Sequence, residues 1–337
     1  MPTDGPDDLG PLDALEIAGL APEHVIAMVA KSEGNGCVND FSRTLATHAW
    51  ERVLPDTAIT IVSGGTEGVL SPHVTLLAQG PENARLPAGG LLANVGRTEA
   101  IPPYEIGRPA HIDAVADTVR ELVGAVGVDT AAVQLALVKT PLLTFEKVTA
   151  CAAAGMPPVT TDPYESMARS RRAAALGVAV ALGECSREQA EESIEYGAAA
   201  FSSVASVSAG GELDDCHVVL LARGDDDGPL RALHTVMADA LDMASVAELL
   251  GAVEAEGGRL IQVFAKAEAD PTGRIRGRRH TMLTDSDIHS TRHARAAVGG
   301  LLVAMVGDGC LYVSAGAEAQ GPPGGGPVTV VYEVGGR

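Results

Sequence analysis

Three lysines each close a short apolar run: HVIAMVAK ends at Lys31, VQLALVK at Lys139 and LIQVFAK at Lys266. A small residue follows each: Ser32, Thr140 and Ala267. Downstream of each lysine comes a serine in a Ser-(Gly/Ala)-Gly-type turn: Ser63-GGTE, Ser208-AGGE and Ser314-AGAE. The lysine-to-serine separations are 32, 69 and 48 residues. A third trio lies between them, a (Ser/Thr)-Arg pair opening an Ala-rich stretch: Ser42-Arg43, Ser170-Arg171 and Thr291-Arg292, with Arg295 a second candidate one turn later. Lysines crowded with other cations lose their protons more easily. A neutral lysine is a general base, and a serine within its reach becomes a nucleophile. The amides at Gly64, Ala209 and Ala315 can hold a developing oxyanion. Such a donor-rich site with three-fold character suits a small ring of alternating C=O and N–H groups, whose amide is cleaved without redox cofactor or metal.

For these residues to meet, the chain has to be a three-fold repeat whose equivalent strand ends face one centre. The units are placed at 1–104, 105–228 and 229–337, with connectors at 104–108 and at Asp225-DDG-Pro229. The lysine runs are short and rich in β-branched residues, as buried strands are. AITIV before Ser63 and CLYV before Ser314 read the same way. Helices are expected over 110–126, 144–154, 168–184 and 235–256. Alternation of strands and helices within each unit gives an α/β or α+β reading; the fold expected is α/β, with three similar units, each a sheet plus helices, packed around a pseudo-three-fold axis with a central active site. Glu67, Glu212 and Glu318 recur with the serines and are expected to pair with backbone or basic groups near the axis.

Composition narrows the partners. Of 337 residues, 24 are Lys or Arg and 44 are Asp or Glu, a net charge of −20, which argues against nucleic acid or an anionic membrane. No apolar run reaches the ~18–20 residues of a membrane span. The acidic start is unlike a signal peptide. Five scattered cysteines without a CxxC pair fit a reducing cytoplasm. Aromatics are only 3%, so the core must be aliphatic. His280, His289 and His293 lack a zinc-type arrangement. The basic run Arg274, Arg276, Arg278 and Arg279 is expected to meet an acidic face of a neighbouring unit or subunit.

The sequence resembles the cyanuric acid hydrolases and barbiturases, ring-opening amidohydrolases. The motifs that carry the resemblance include Lys31-SEGNGCVNDFSR-Thr44, Ser63-GGTEGVLSPH, Val138-KTPLLT, Ser170-RRAAALGVA, Val263-FAKAEADPTG and Val313-SAGAEAQGPPGGGP. They run from about residue 11 to 330. The resemblance implies three α/β units about a pseudo-three-fold axis and a homotetramer. It implies ring binding by Arg43, Ser63 and Gly64, by Arg171, Ser208 and Ala209, and by Ser314 and Ala315. The internal pattern favours Arg292 as the third arginine and the family pattern favours Arg295. Catalysis is assigned by the resemblance to the second unit: Lys139 as base and Ser208 as nucleophile, with Lys31 and Lys266 polarising or orienting the ring. The implied reaction turns cyanuric acid into carboxybiuret, which loses CO2 to give biuret. The alternatives are opening of barbituric acid to ureidomalonate by the same groups, and a ring-binding homologue without activity.

Some members of that family hold a structural cation, and the matching positions are Glu268, Ala317, Gln320, Gly321, Pro322 and Gly325. One carboxylate with carbonyl oxygens suits Mg or Ca. The sequence departs from the family at Arg172, where a small residue is usual, and at Ala319, where His is common. Arg172 is expected at a site edge or an interface.

Overall fold

The lysine-bearing runs are strands buried on both faces, which is why they read as continuous apolar stretches rather than as alternation. The computed structural model describes residues 1–80, 90–196, 200–224 and 228–335. The chain begins with a short helix α1 (Asp13–Ile17), then β1 (Val25–Ser32), α2 (Phe41–Glu51), β2 (Ile59–Gly64), β3 (His73–Ala78) and β4 (Leu91–Arg97). It continues with α3 (Pro109–Val126), β5 (Val133–Pro141), α4 (Phe145–Ala153), α5 (Pro163–Leu182), α6 (Arg187–Tyr196), β6 (Ala205–Gly210) and β7 (His217–Arg223). The last third holds β8 (Leu230–Met237), α7 (Met243–Ala255), β9 (Gly258–Ala267), the hairpin β10 (Arg274–Ile275) and β11 (Arg278–Arg279), α8 (Ser290–Val306), β12 (Tyr312–Ala315) and β13 (Gly326–Val334).

Besides the small hairpin, the strands form three mixed sheets ordered β2-β1-β3, β4-β7-β5-β6 and β12-β9-β13-β8. Each has the same plan. A lysine strand (β1, β5, β9) pairs in parallel with a serine strand (β2, β6, β12) on one side and antiparallel with β3, β7 or β13 on the other. The register sets Lys31 opposite Ser63, Lys139 opposite Ser208 and Lys266 opposite Ser314.

Alternation along the strands then decides which way these side chains point. Met28 and Ala30 pack outward in a cluster with Trp50 of α2. Ala136 and Val138 pack beneath α3 and α5, and Val263 and Ala265 beneath α7 and α8. The opposite faces, with Ala27 and Val29, Ile59 and Ile61, Leu135 and Leu137, and Phe264 and Tyr312, meet in one central cluster drawn from all three sheets. Lys31, Lys139, Lys266 and the three serines continue that inward face by period two.

One expectation needs correction. Residues 235–256 are not one helix. Thr235, Val236 and Met237 belong to β8, held by its ladder with β13, and α7 starts only after Asp242, whose carboxylate accepts from Ser245 N. Arg172, absent from the lining of the central cavity, donates from Nη1 to Ser193 O of α6 at 3.2 Å. Leu91–Arg97, read with the first unit, pairs along its length with β7 in the sheet of Lys139 and Ser208. The connector at 225–229 lies partly outside the described residues. The helices expected at 110–126, 144–154 and 168–184 are present as α3, α4 and α5. Asp162 and Pro163 start α5 earlier than expected, by capping and by the fixed proline φ.

Candidate active site

At the C-terminal ends of the lysine and serine strands lies one cavity. Its lining includes Arg43, Ser63, Gly64, Lys139, Arg171, Ser208, Ala209, Arg295, Ser314 and Ala315, with Gly36, Met167 and Thr291. Residues hundreds of positions apart in sequence thus share one wall. Among the described residues Lys139 is the one lysine of the three in that lining, and Arg292 is not in it. Arg292 instead borders a separate, open hollow with Glu33, Asn35 and Glu67.

The three lysines are 1%, 1% and 0% exposed, so their charge has lost almost all hydration. Burial pushes all three pKa values down. Arg295 lowers Lys31 further, and Arg171 does the same for Lys266. Lys139 is held at about 8, because Glu212 opposes the desolvation.

Their hydrogen bonds differ. Lys31 Nζ donates to Ser63 Oγ at 3.2 Å, and Lys266 Nζ donates to Ser314 Oγ at 3.2 Å. Lys139 Nζ instead pairs with Glu212 Oε1 at 3.0 Å and donates to Val62 O at 2.6 Å. Ser208 Oγ is buried without a hydrogen-bond partner among the described residues. The second Lys/Ser pair is therefore the one with a free hydroxyl and a lysine facing the cavity. Glu212 is itself held at about 2, with Lys139 and Arg43 offsetting its burial.

The sheets interlock in a cycle. Lys139 bonds the carbonyl just before Ser63, and Lys266 bonds Val207 O, just before Ser208, at 2.8 Å. Lys31 Nζ lies 5.6 Å above the ring of Tyr312, two residues before Ser314. The arginines run the other way. Arg43 on α2 donates to Ala209 O at 2.9 Å. Arg171 on α5 grips Glu318 through Nε and Nη2 at 2.7 Å each, and Arg295 on α8 grips Glu67 through the same two atoms. The fork-on-carboxylate geometry fixes both guanidinium planes. It also explains the turn motif. A Cβ on Gly65 would lie 2.1 Å from Arg295 Nη2, and one on Gly316 2.5 Å from Arg171 Nη2, so only glycine lets the arginine lie across the turn. The recurring glutamates thus pair with basic groups, as expected.

Arg295 is the counterpart of Arg43 and Arg171, and the residue after each lysine shows why. Ser32 Oγ and Ser42 Oγ are 2.7 Å apart, and Thr140 Oγ1 and Ser170 Oγ are 2.9 Å apart. In the third unit both hydroxyls are replaced by alanine: Ala267 and Ala294 share one core cluster. The Ser-Arg pair has become Ala294-Arg295, and Thr291-Arg292 is a coincidental match one turn early. The signal was Ala267 itself, where the other units carry Ser32 and Thr140.

The cation candidates lie at the end of β9 and in the loop between β12 and β13. Gly324 N donates to Glu268 Oε2 at 2.8 Å, joining the end of β9 to the loop between β12 and β13. Burial and the neighbouring Glu318 push Glu268 up to about 7, the environment a nearby cation would relieve. Gln320 Oε1 accepts from Val207 N at 2.6 Å, which leaves that residue its main-chain carbonyl as a ligand. Ala317 O and Pro322 O each accept one main-chain N–H and retain a second lone pair. This donor set fits a hard cation. Elsewhere, His289 caps α8, His293 pairs with Asp285 at 3.3 Å, and Arg276 of the basic run pairs with Asp239 at 2.8 Å.

The family model for amidohydrolase ring-opening proteins matches residues 1–333. The chain belongs to that family. A cyanuric acid amidohydrolase of Pseudonocardia dioxanivorans is 57% identical over 333 residues, covering 98% of this chain and 96% of the relative. One from a Rhodococcus species is 53% identical over 335 residues, covering 99% and 94%. The crystal structure of a cyanuric acid hydrolase from A. caulinodans superposes with a TM-score of 0.91 at 41% identity, covering 100% of this chain and 98% of that one. A second cyanuric acid hydrolase structure, described as an innovation by structural concatenation, gives a TM-score of 0.92 at 42% identity, covering 99% and 98%. Family members with such names share with this chain nearly its full length. Among the described residues no helix is long and apolar enough to cross a membrane.

Proposed function

We propose that this protein hydrolyses cyanuric acid, opening its ring with Ser208 as nucleophile and Lys139 as base. The observation that carries the reading is the exceptional second pair: a cavity-lining Lys139 of lowered pKa beside a Ser208 hydroxyl that no other group holds. The names of the near-full-length relatives point to the substrate.

The steps follow from the groups. Arg43, Arg171 and Arg295, with Ser63, Ser314 and the amides of Gly64, Ala209 and Ala315, seat the ring three-fold, each unit meeting one carbonyl. Neutral Lys139 turns from Glu212 and takes the Ser208 proton. Ser208 Oγ forms a bond to a ring carbonyl carbon, and the oxyanion rests on the donors around it. The C–N bond breaks, and the leaving nitrogen takes the proton back from Lys139. Water then cleaves the Ser208 ester and frees the open-chain carboxybiuret, which loses CO2 to give biuret. Lys31 and Lys266, bonded to Ser63 and Ser314, orient the ring rather than attack it.

The same reading places the three sheets around a pseudo-three-fold axis through the cavity. The cyclic lysine and arginine contacts support that symmetry. A structural Mg or Ca ion held by Glu268 and carbonyls of the 317–325 loop would tie β9 to β13 and neutralise Glu268, outside the chemistry. Exposed Phe41 and Leu45 on one helix and Phe145 on another support burial against further copies, in keeping with a homotetramer in the cytoplasm.

The test is a side-by-side assay of the purified chain on cyanuric and barbituric acids. Steady release of biuret from the first, well above ureidomalonate from the second, is expected. The reverse preference would make the chain a barbiturase, and no product from either ring would leave only ring binding.

A further inference from the structure

Two positions before each site serine, the inward face of the sheets carries Ile61, Ser206 and Tyr312. Alternate residues of a strand share a face, so these three form the layer directly beneath Ser63, Ser208 and Ser314. The layer is not symmetric. Ile61 presents hydrocarbon, Ser206 a short hydroxyl and Tyr312 a long one. Tyr312 is fixed in place, with its ring 5.5 Å from that of Phe264 and beneath Lys31 Nζ. Its hydroxyl neighbours those of Ser63 and Ser208 but makes no hydrogen bond of normal geometry to either. Ser63 is already engaged by Lys31, at 3.2 Å.

Three buried hydroxyls on this inward face have no hydrogen-bond partner among the described residues: Tyr312 Oη, Ser206 Oγ and Ser208 Oγ. Buried polar groups are nearly always paired, and each orphan is destabilising. A phenylalanine at 312 would keep the packing without that cost. Hydroxyls kept at such expense beside a reactive centre belong to function rather than to folding.

We infer that Tyr312 is a positioning residue that singles out Ser208 from the three serines. Its Oη–H donates to a lone pair of Ser208 Oγ when the ring is bound. That leaves the Ser208 proton directed at Lys139 Nζ and the other lone pair directed at the ring carbonyl. No proton leaves Tyr312, and burial, which pushes its pKa up to about 12, keeps it a donor throughout. Ile61 has no hydroxyl to give, and Tyr312 shares a strand with Ser314 rather than facing it. Three Lys/Ser pairs of one design thereby acquire one nucleophile. The inference rests on Ser208 being that nucleophile.

The test is Tyr312→Phe in the full chain, with kcat, KM, Tm and the pH–kcat profile measured beside Ser208→Ala. Loss of one hydrogen bond that orients the attacking oxygen is expected to lower kcat at least about tenfold. KM should change less than about twofold, Tm should hold or rise, and the acid limb should stay in place, since Tyr312 does not titrate there. A kcat within about twofold of wild type, with Ser208→Ala inactive, overturns the role of Tyr312 alone. A fall in Tm that accounts for the lost activity overturns it too, in favour of a packing role. Turnover by Ser208→Ala would remove the reading beneath it as well.

Discussion

Lys139 stands directly across the parallel ladder from Ser208, yet its ammonium is bonded to Glu212 at 3.0 Å and not to that serine. The two other lysines bond their own serines. Glu212 therefore sets both the place and the charge of the base. Its carboxylate raises the pKa of Lys139 against desolvation, to about 8. The base works when neutral, so kcat should climb with pH up to about 8 and level off above it. Removing the carboxylate in Glu212→Gln removes a group that favours the protonated lysine. The acid limb of the pH–kcat profile should then move to lower pH. A limb that stays put or moves up would show that Glu212 does not control Lys139.

Alanine at the three serines should separate their roles. Ser208→Ala removes the nucleophile, and kcat should fall roughly 10^3-fold or more. Ser63→Ala and Ser314→Ala each remove a hydroxyl that a lysine holds toward the ring. KM should rise about 10-fold in each, with measurable kcat retained, as for the loss of one hydrogen bond. Equal losses in all three would mean that the serines are interchangeable.

The serines and lysines were legible because each lies in a local pattern: an apolar run, then a small turn. Their meeting follows from period-two alternation alone, once the strands are right. Arg295 was not settled by the internal pattern, because the third unit exchanged the Ser32–Ser42 hydroxyl pair for Ala267 and Ala294, and Thr291-Arg292 imitated the lost motif. The strand at Leu230–Met237 was misread in part as helix because its extended form is imposed by β13, a hundred residues away. The distinct state of Lys139 was not legible either. A glutamate recurs after the serine in all three units, and only packing shows that Glu67 and Glu318 are taken by arginines while Glu212 is left for the lysine.

Arginine substitutions should discriminate the two candidates. Arg295→Ala should raise KM about 10- to 100-fold, the loss of one or two charge-assisted hydrogen bonds, and should lower Tm because Glu67 loses its partner. Arg292→Ala should leave KM within about threefold, since its side chain borders a different hollow. The opposite ranking, read from the same steady-state assays, would return the role to Arg292.

Chelation should act on stability rather than on the chemical step. With a cation bound by Glu268 and the 317–325 loop, a chelator should lower Tm, and added Mg or Ca should restore it. Glu268→Gln should have a lower Tm that no longer responds to either. A wild-type Tm indifferent to chelator and cation would remove the ion from the account.

The most direct measurement is rapid acid quench of the protein during turnover of cyanuric acid, followed by peptide mass spectrometry. The opened ring should be found esterified to the peptide that contains Ser208, and the adduct should be absent from Lys139→Ala. An adduct on Ser63 or Ser314, or turnover at full rate with Ser208 never modified, would contradict the assignment of attack to the second sheet.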